Sequence, residues 1–222
     1  MSGHPHLRLV LATGNPDKVA EVRTILSEML GDTLELAARP SDVPEVEETG
    51  TTLEENARLK AAALARVTGE AAVADDTGLE VAGLGGAPGV LSARYAGETA
   101  SYADNVRKLL AELAGVEKGS PGRRASFRTV ALCRFPDGRE IVAEGRADGE
   151  IAPSARGAGG FGYDSVFVPD DGDGRTFAEM TQAEKHAVSH RGRALRGLAG
   201  KLATELATKL ATEPAGESPR DP

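Results

Sequence analysis

The chain of 222 residues has no tryptophan, one cysteine, five phenylalanines and three tyrosines. A core so poor in aromatics must rest on Ala, Val, Leu and Ile. A single cysteine excludes an internal disulfide and fits a reducing compartment. Cys133 lies in the strand-like run "SFRTVALCRF", with no His or cationic helix start near it in sequence, which reads as a small buried hydrophobe. No apolar run approaches the roughly 20 residues that span a bilayer. The opening "MSGHPHLRLVLATG" has none of a signal peptide's charged start, long apolar run and small-residue cleavage site, so cytoplasm is the expected compartment. Positive charge is scarce as well: the formal net charge is -8. That argues against general nucleic-acid binding, which needs a broad basic surface. It leaves room for a small polyanion held by a few cations and a metal in one cleft.

What is present describes an ordinary globular chain, 40% hydrophobic and 27% charged. Its length suits one domain, or two tightly joined lobes. No linker breaks residues 1–212, and "EPAGESPRDP", 213–222, reads as a disordered tail. "LRLVLAT" predicts a buried strand. In the next segment Asn15 suits a helix cap, Pro16 the first helical position and Asp17 the first turn, followed by Val19, Val22, Leu26 and Leu30 at helical spacing and a closing Gly31. "TLELAA" predicts a second strand and "RPSDVPEVEETG" a loop. A second helix opens on a capping box, Thr51 with Glu54 or Thr52 with Glu55, and ends at Gly69. "AAVAD" then predicts a strand that stops at Asp75 and Asp76. A third helix carries Val106, Leu109, Leu110 and Leu113 on one face. "SFRTVALCRF" and "EIVAEGRADG" flank the hairpin signal "PDGR", and "YDSVFVP" predicts one more strand. Residues 181–212 predict one long final helix with a stripe of Leu195, Leu198, Leu202, Leu206 and Leu210. Strand-helix-strand units followed by a hairpin imply an α/β fold with a mixed sheet.

Four stretches carry chemistry. "ATGNPDK" runs a strand into a helix start, where free amides and the helix dipole favour an anion and Lys18 can reach back to it; it is not a Walker loop. The acids of "EVEETG", Glu45, Glu47 and Glu48, suit either loop solvation or, with Asp75 and Asp76, a hard-oxygen site for Mg²⁺. Open α/β sheets bind ligands at the carboxyl ends of their strands, where Thr13–Asn15 and Asp75–Asp76 would both fall. "GAGGFGYDSVF" either turns into a strand with Phe161 in the core or presents Phe161 or Tyr163 to a base. "EKHAVSHRGRAL" sets Lys185, His186, His190, Arg191 and Arg193 on one helix; basic residues near a helix start oppose its dipole and hint at a purpose. The two histidines lack the HExxH pattern of a zinc site. "PDDGDGRTFAEM" fails as an EF-hand, because Gly174 at the sixth loop position puts Pro169 first and Met180 twelfth.

Taken in order, "LATGNPDKVAEV", "EETGTTLEENARLKA", "VADDTGLEVAGLGGAPGVLSARYAG", "GGFGYDSVF" and "EKHAVSHRGRAL" closely resemble the inosine triphosphate pyrophosphatase family over roughly residues 7 to 200. The resemblance implies an elongated mixed sheet with helices on both sides, forming two lobes around a central nucleotide cleft. It implies a homodimer, a Mg²⁺ requirement, and cleavage of ITP, dITP and XTP to the monophosphate and pyrophosphate. Thr13, Gly14, Asn15, Pro16, Asp17 and Lys18 would form the phosphate-binding start, and Lys60 a second phosphate contact. Asp76 would be the general base or a metal ligand, with Thr77 where the family often has Ser, and Glu47, with Glu48 beside it, the other metal-side acid. Phe161, Gly162, Tyr163 and Asp164 would hold the base, and Lys185, His190 and Arg191 would read it.

Overall fold

The computed structural model describes residues 7–212, without the side chains of 209–212. In chain order the elements are β1 (Leu7–Leu11), α1 (Pro16–Leu30), β2 (Leu34–Ala37), α2 (Leu53–Thr68), β3 (Ala71–Val81), β4 (Pro88–Gly89), α3 (Tyr102–Glu112), β5 (Arg124–Arg134), β6 (Glu140–Ile151), β7 (Phe167–Pro169), α4 (Gln182–Val188) and α5 (His190–Thr212). Seven strands form one mixed sheet in the order β2-β1-β3-β5-β6-β7, with β4 paired to β3. The first three of that order are parallel, and every later pairing is antiparallel.

Alternation along the strands divides the core. Leu9 and Leu11 of β1, with Ala71 and Val73 of β3, face α1 and α5 through Val22, Ile25, Leu26, Leu195 and Leu198. Val10 and Ala72 face the other way, onto Leu64 and Ala65 of α2, and Ala74 meets Leu53, Ala57 and Ala61 of the same helix. A separate cluster at the far end joins Leu79, Val81, Leu109, Phe127, Ile151, Phe167 and Phe177. Cys133 is fully buried among aliphatic side chains, and burial pushes its thiol up to about 12, so it is inert.

The helix starts follow their local signals. Asn15 Oδ1 accepts from the amides of Asp17 and Lys18. Of the two possible boxes on α2, Thr52 with Glu55 forms. Three expectations are corrected. The acids do not end a strand: β3 continues to Val81, held throughout by β5. The final helix is two helices, broken at the extended Ser189, whose Oγ accepts from Gly192 N and so caps α5. The strand expected over "YDSVFVP" shrinks to Phe167–Pro169, because the preceding residues form turns. Leu195, Leu198 and Leu202 are buried as the stripe predicts, whereas Leu206 is half-buried and the side chain of Leu210 is outside the described residues, as is the 213–222 tail.

Candidate active site

The cleft opens where β1 leaves the sheet. β1 pairs with β3 only as far as Leu11 and Val73, after which Ala12 N donates to Val73 O and the chain turns through Thr13-Gly14-Asn15 into α1. On that side β3 is unpaired until β4 joins at Leu79. Asp75, Asp76 and Thr77 lie in this gap. Successive side chains of a strand point to opposite faces, so the two adjacent carboxylates are separated by the sheet itself.

Asp75 points to the α1/α5 face. Its Oδ2 is 3.1 Å from Arg191 Nε and 3.4 Å from Lys18 Nζ. Burial alone would raise its carboxyl, but Lys18, Arg191 and Lys60 outweigh that and hold it far below the usual carboxylate range. Asp76 points to the α2 face. Lys60 Nζ sits 2.8 Å from its Oδ1 and Asn56 Nδ2 3.4 Å from its Oδ2. Here burial wins, helped by the nearby Glu48, and the carboxyl is raised despite Lys60. One neighbour is thus locked as an anion while the other is shifted toward taking a proton, the pattern that separates structural from reacting carboxylates.

Lys60 ties the α2 face together: its Nζ also donates to Asp75 O at 2.7 Å and to Glu48 Oε1 at 2.9 Å. Asn56, one turn earlier on α2, accepts from Gly50 N and so fixes the acidic loop against the helix. Glu48 is held further by Arg94, whose Nη2 reaches its carbonyl. Glu47, expected as the metal-side acid, is exposed and does not line the cleft, whereas its neighbour Glu48 does. Among the described residues no group of three or more His, Cys, Asp or Glu converges to hold a metal ion. Asp76 and Glu48 converge as a pair, both within 2.9 Å of one ammonium. Two carboxylates fit a hard cation that takes its remaining ligands from phosphates and water, the usual situation of Mg²⁺.

The cleft has two connected parts that share Asn15, Lys18, Glu48, Ala93 and Tyr102. One continues along Thr13, Gly14, Pro16, Asp17 and Lys60. Asn15's own side chain occupies two of the first-turn amides there, so fewer are free than the motif suggested. The other part is walled by Thr77, Phe127, Phe161, Gly162, Tyr163, Asp164, His190 and Arg191.

This second wall is braced by buried charge. Glu21 of α1 accepts from Lys185 Nζ and from Arg191 Nη1, each at 2.7 Å. Lys185 also donates to Asp164 Oδ2 at 2.6 Å, and the same oxygen accepts from Phe161 N. Arg191 Nη2 donates to Thr77 Oγ1. Phe161 lies beneath both cations, with Lys185 Nζ 4.7 Å and the Arg191 guanidinium 5.3 Å from its ring centre. His190 stacks on Phe127 at 4.3 Å; burial, then Arg191 and Lys185, push its imidazole well below its usual value, so the ring is neutral. Its buried Nδ1 has no partner among the described residues. Tyr163 departs from the expectation that it could stack on a base: its ring is in the core and its hydroxyl donates to Ser92 O. Gly145 of β6 lets this wall form, since a Cβ there would stand 2.1 Å from the His190 carbonyl oxygen at the start of α5.

Glu21, Asn56, Arg94 and Tyr102 were not among the expected site residues. Glu21 had a readable signal: it sits one turn before Ile25, on the buried stripe of α1. Tyr102, whose hydroxyl accepts from Asn15 Nδ2 at 2.8 Å and whose ring is 5.9 Å from Phe161, had none.

The Ham1 family profile matches residues 9–201, which contain every side chain of this cleft. The chain belongs to the Ham1 family. A dITP/XTP pyrophosphatase of Streptomyces avermitilis is 47% identical over 86% of this chain and 94% of its own length. Among solved structures, a HAM1 protein from Coxiella burnetii superposes with a TM-score of 0.79 at 40% identity, covering 89% of this chain and 99% of its own. A nucleoside-triphosphatase, or dITP/XTP pyrophosphatase, from Mycobacterium abscessus gives 0.67 at 42% identity, covering 91% and 100%. The Ham1 match spans both walls of the cleft, so the mixed sheet and the gap beside β3 belong to one domain-length similarity.

Proposed function

We propose that this Ham1 chain hydrolyses noncanonical purine nucleoside triphosphates, dITP, ITP and XTP, to the monophosphate and pyrophosphate, with Mg²⁺ as its cofactor. The observation that carries the reading is the split pair on β3: a raised carboxyl, Asp76, set beside Lys60 and opening on the same cleft as the base-sized wall. The 47% identity to a protein named dITP/XTP pyrophosphatase supplies the substrate class.

Asp76 and Glu48 would hold Mg²⁺, which when bound would supply charge neutralisation at the phosphates and a place for the attacking water. The chain's own residues do the rest. Asp76 takes the proton of the water that attacks the α-phosphorus. The α–β anhydride bond breaks, and pyrophosphate leaves with its electron pair toward Lys18 and Lys60, which stabilise the charge that develops there. Asp75 takes no proton; it fixes Lys18 and Arg191. Phe161 offers a face to the base, while Lys185 and Asp164 hold Phe161 in place. His190 and Arg191 line the edge of the pocket with donors, suited to the 6-oxo group of hypoxanthine and xanthine. An adenine 6-amino group there would face donors and stay unpaired, at a cost of about 1–3 kcal/mol. We read the working unit as a cytoplasmic homodimer, on the family resemblance; no described helix is long and apolar enough to cross a membrane.

Pyrophosphate release from dITP, ITP, XTP, ATP, GTP, dTTP and UTP, with Mg²⁺ and with chelator, tests the reading. Mg²⁺-dependent release from the first three and little from ATP is expected. Release chiefly from dTTP or UTP would overturn the base assignments, and release from none would leave a binding module.

A further inference from the structure

Arg39 has no part in the reaction as described, yet it lies on the phosphate part of the cleft. It follows the carboxyl end of β2, in a row with the loops after β1 and β3. It lines the part of the cleft that holds Thr13, Gly14, Lys18 and Lys60, and it is absent from the part that holds Phe161, His190 and Arg191. A nucleotide whose base lies against Phe161 and whose α-phosphate lies at Asp76 therefore runs its terminal phosphates toward Arg39.

The guanidinium is drawn over the Thr-Gly-Asn turn. A Cβ added at Gly14 would stand 3.3 Å from Arg39 Nη1 and 3.2 Å from Glu45 Oε1, so the bare glycine leaves the room these two side chains use. Arg39 Nη2 donates to Val43 O, which anchors the fork to its own loop.

The other cations of the cleft are already committed to buried or half-buried acids. Lys18 meets Asp75, Lys60 meets Asp76 and Glu48, and Arg191 meets Glu21 and Asp75. Among the described residues Arg39 pairs with Glu45 alone, at 3.5 Å, and that carboxylate is 83% exposed. A long ion pair whose acid end is exposed contributes little and is given up readily, although the Arg39 side chain is itself 17% exposed. Of these four cations, Arg39 is the one whose charge an incoming phosphate obtains at least cost. Its planar fork also suits two phosphate oxygens at once.

Resting on the proposed function, we infer that Arg39 leaves Glu45 to bind the terminal phosphate, and that it makes the site prefer a nucleoside triphosphate to the matching diphosphate. Arg39 is a specificity residue, far from the bond that breaks.

The test compares wild type, Arg39→Gln and Arg39→Lys with ITP and IDP, by steady-state kinetics in Mg²⁺ and by calorimetric binding of both nucleotides in Ca²⁺. Arg39→Gln is expected to raise KM and Kd for ITP about tenfold, the scale of one lost charge-assisted hydrogen bond. Its kcat for ITP and its Kd for IDP stay within about twofold of wild type, and Arg39→Lys recovers part of the loss. Equal weakening for both nucleotides would assign Arg39 to holding its loop and overturn the inference, as would no change for either. Wild type that binds neither nucleotide would instead overturn the proposed function and this inference with it. Wild type that binds ITP tightly while Arg39→Gln binds it equally well would overturn the inference alone.

Discussion

On the base side of the cleft, the Lys185 and Arg191 side chains are 3% and 4% exposed, share Glu21, and have further partners in Asp164, Asp75 and Thr77. On the phosphate side, Lys18 and Lys60 are 19% and 12% exposed, and Lys60 rests between two acids suited to a metal. Similar charges serve different ends. The base wall is closed and cross-linked, so on the proposed function it would receive the base without rearranging. On the same function, the phosphate wall holds bonds that a metal–triphosphate complex would replace, with Asp76 and Glu48 as the residues that would hold the cation and Lys60 released toward the phosphates. A rigid reader is joined to an exchangeable reaction centre, and β3 carries one acid for each.

Breaking the base wall should cost the most. Glu21→Ala leaves two buried cations without their shared partner and should lower unfolding free energy by about 3–5 kcal/mol in urea titrations. A loss below about 1 kcal/mol would show that the wall is not braced as described. On the phosphate wall, Glu48→Gln should reduce kcat/KM for ITP by roughly 10- to 100-fold at nearly unchanged stability. A reduction confined to Glu47→Gln would return the metal-side role to that exposed residue.

A smaller effect follows from His190. Its folded value lies well below the usual imidazole value. The unfolded chain therefore binds a proton first as pH falls below about 6.5, and stability declines there by up to about 1.4 kcal/mol per pH unit, until the folded value is reached. His190→Phe should flatten stability against pH between about 5 and 6.5. The same slope in both proteins would remove His190 as its source. Least of all, Glu47→Gln should change kcat/KM by no more than about twofold; as an exposed side chain outside the cleft it has little to lose.

The difference between the walls also explains what could be read in advance. Helices α1 and α2 announce themselves through Asn15 and through Thr52 with Glu55, because caps are local chemistry. The turn into α1 made Thr13 and Lys18 legible and the paired acids of β3 did the same for Asp76, whereas Lys60, midway along α2, was reached only through the family resemblance. The break at Ser189 was hidden by a basic, helix-compatible sequence on both sides, although a serine cap was in view. Glu47 and Glu48 could not be separated, because a loop has no periodicity to say which side chain turns inward. The opposite facing of Asp75 and Asp76 needed β3 to run on to Val81, and its partner β5 lies some fifty residues away in sequence. That Tyr163 rather than Phe161 enters the core was hidden for a related reason: that core is assembled from α3, β5, β6 and β7 together.

Asp76→Asn, tested for ITP binding and pyrophosphate release on the same preparation, addresses the central claim most directly. With the base wall untouched, the variant should bind ITP within about tenfold of wild type while release falls by about 10²–10⁴-fold or more. Release within a few-fold of wild type would contradict the account, because the raised carboxyl on the α2 face would then not be the reacting one.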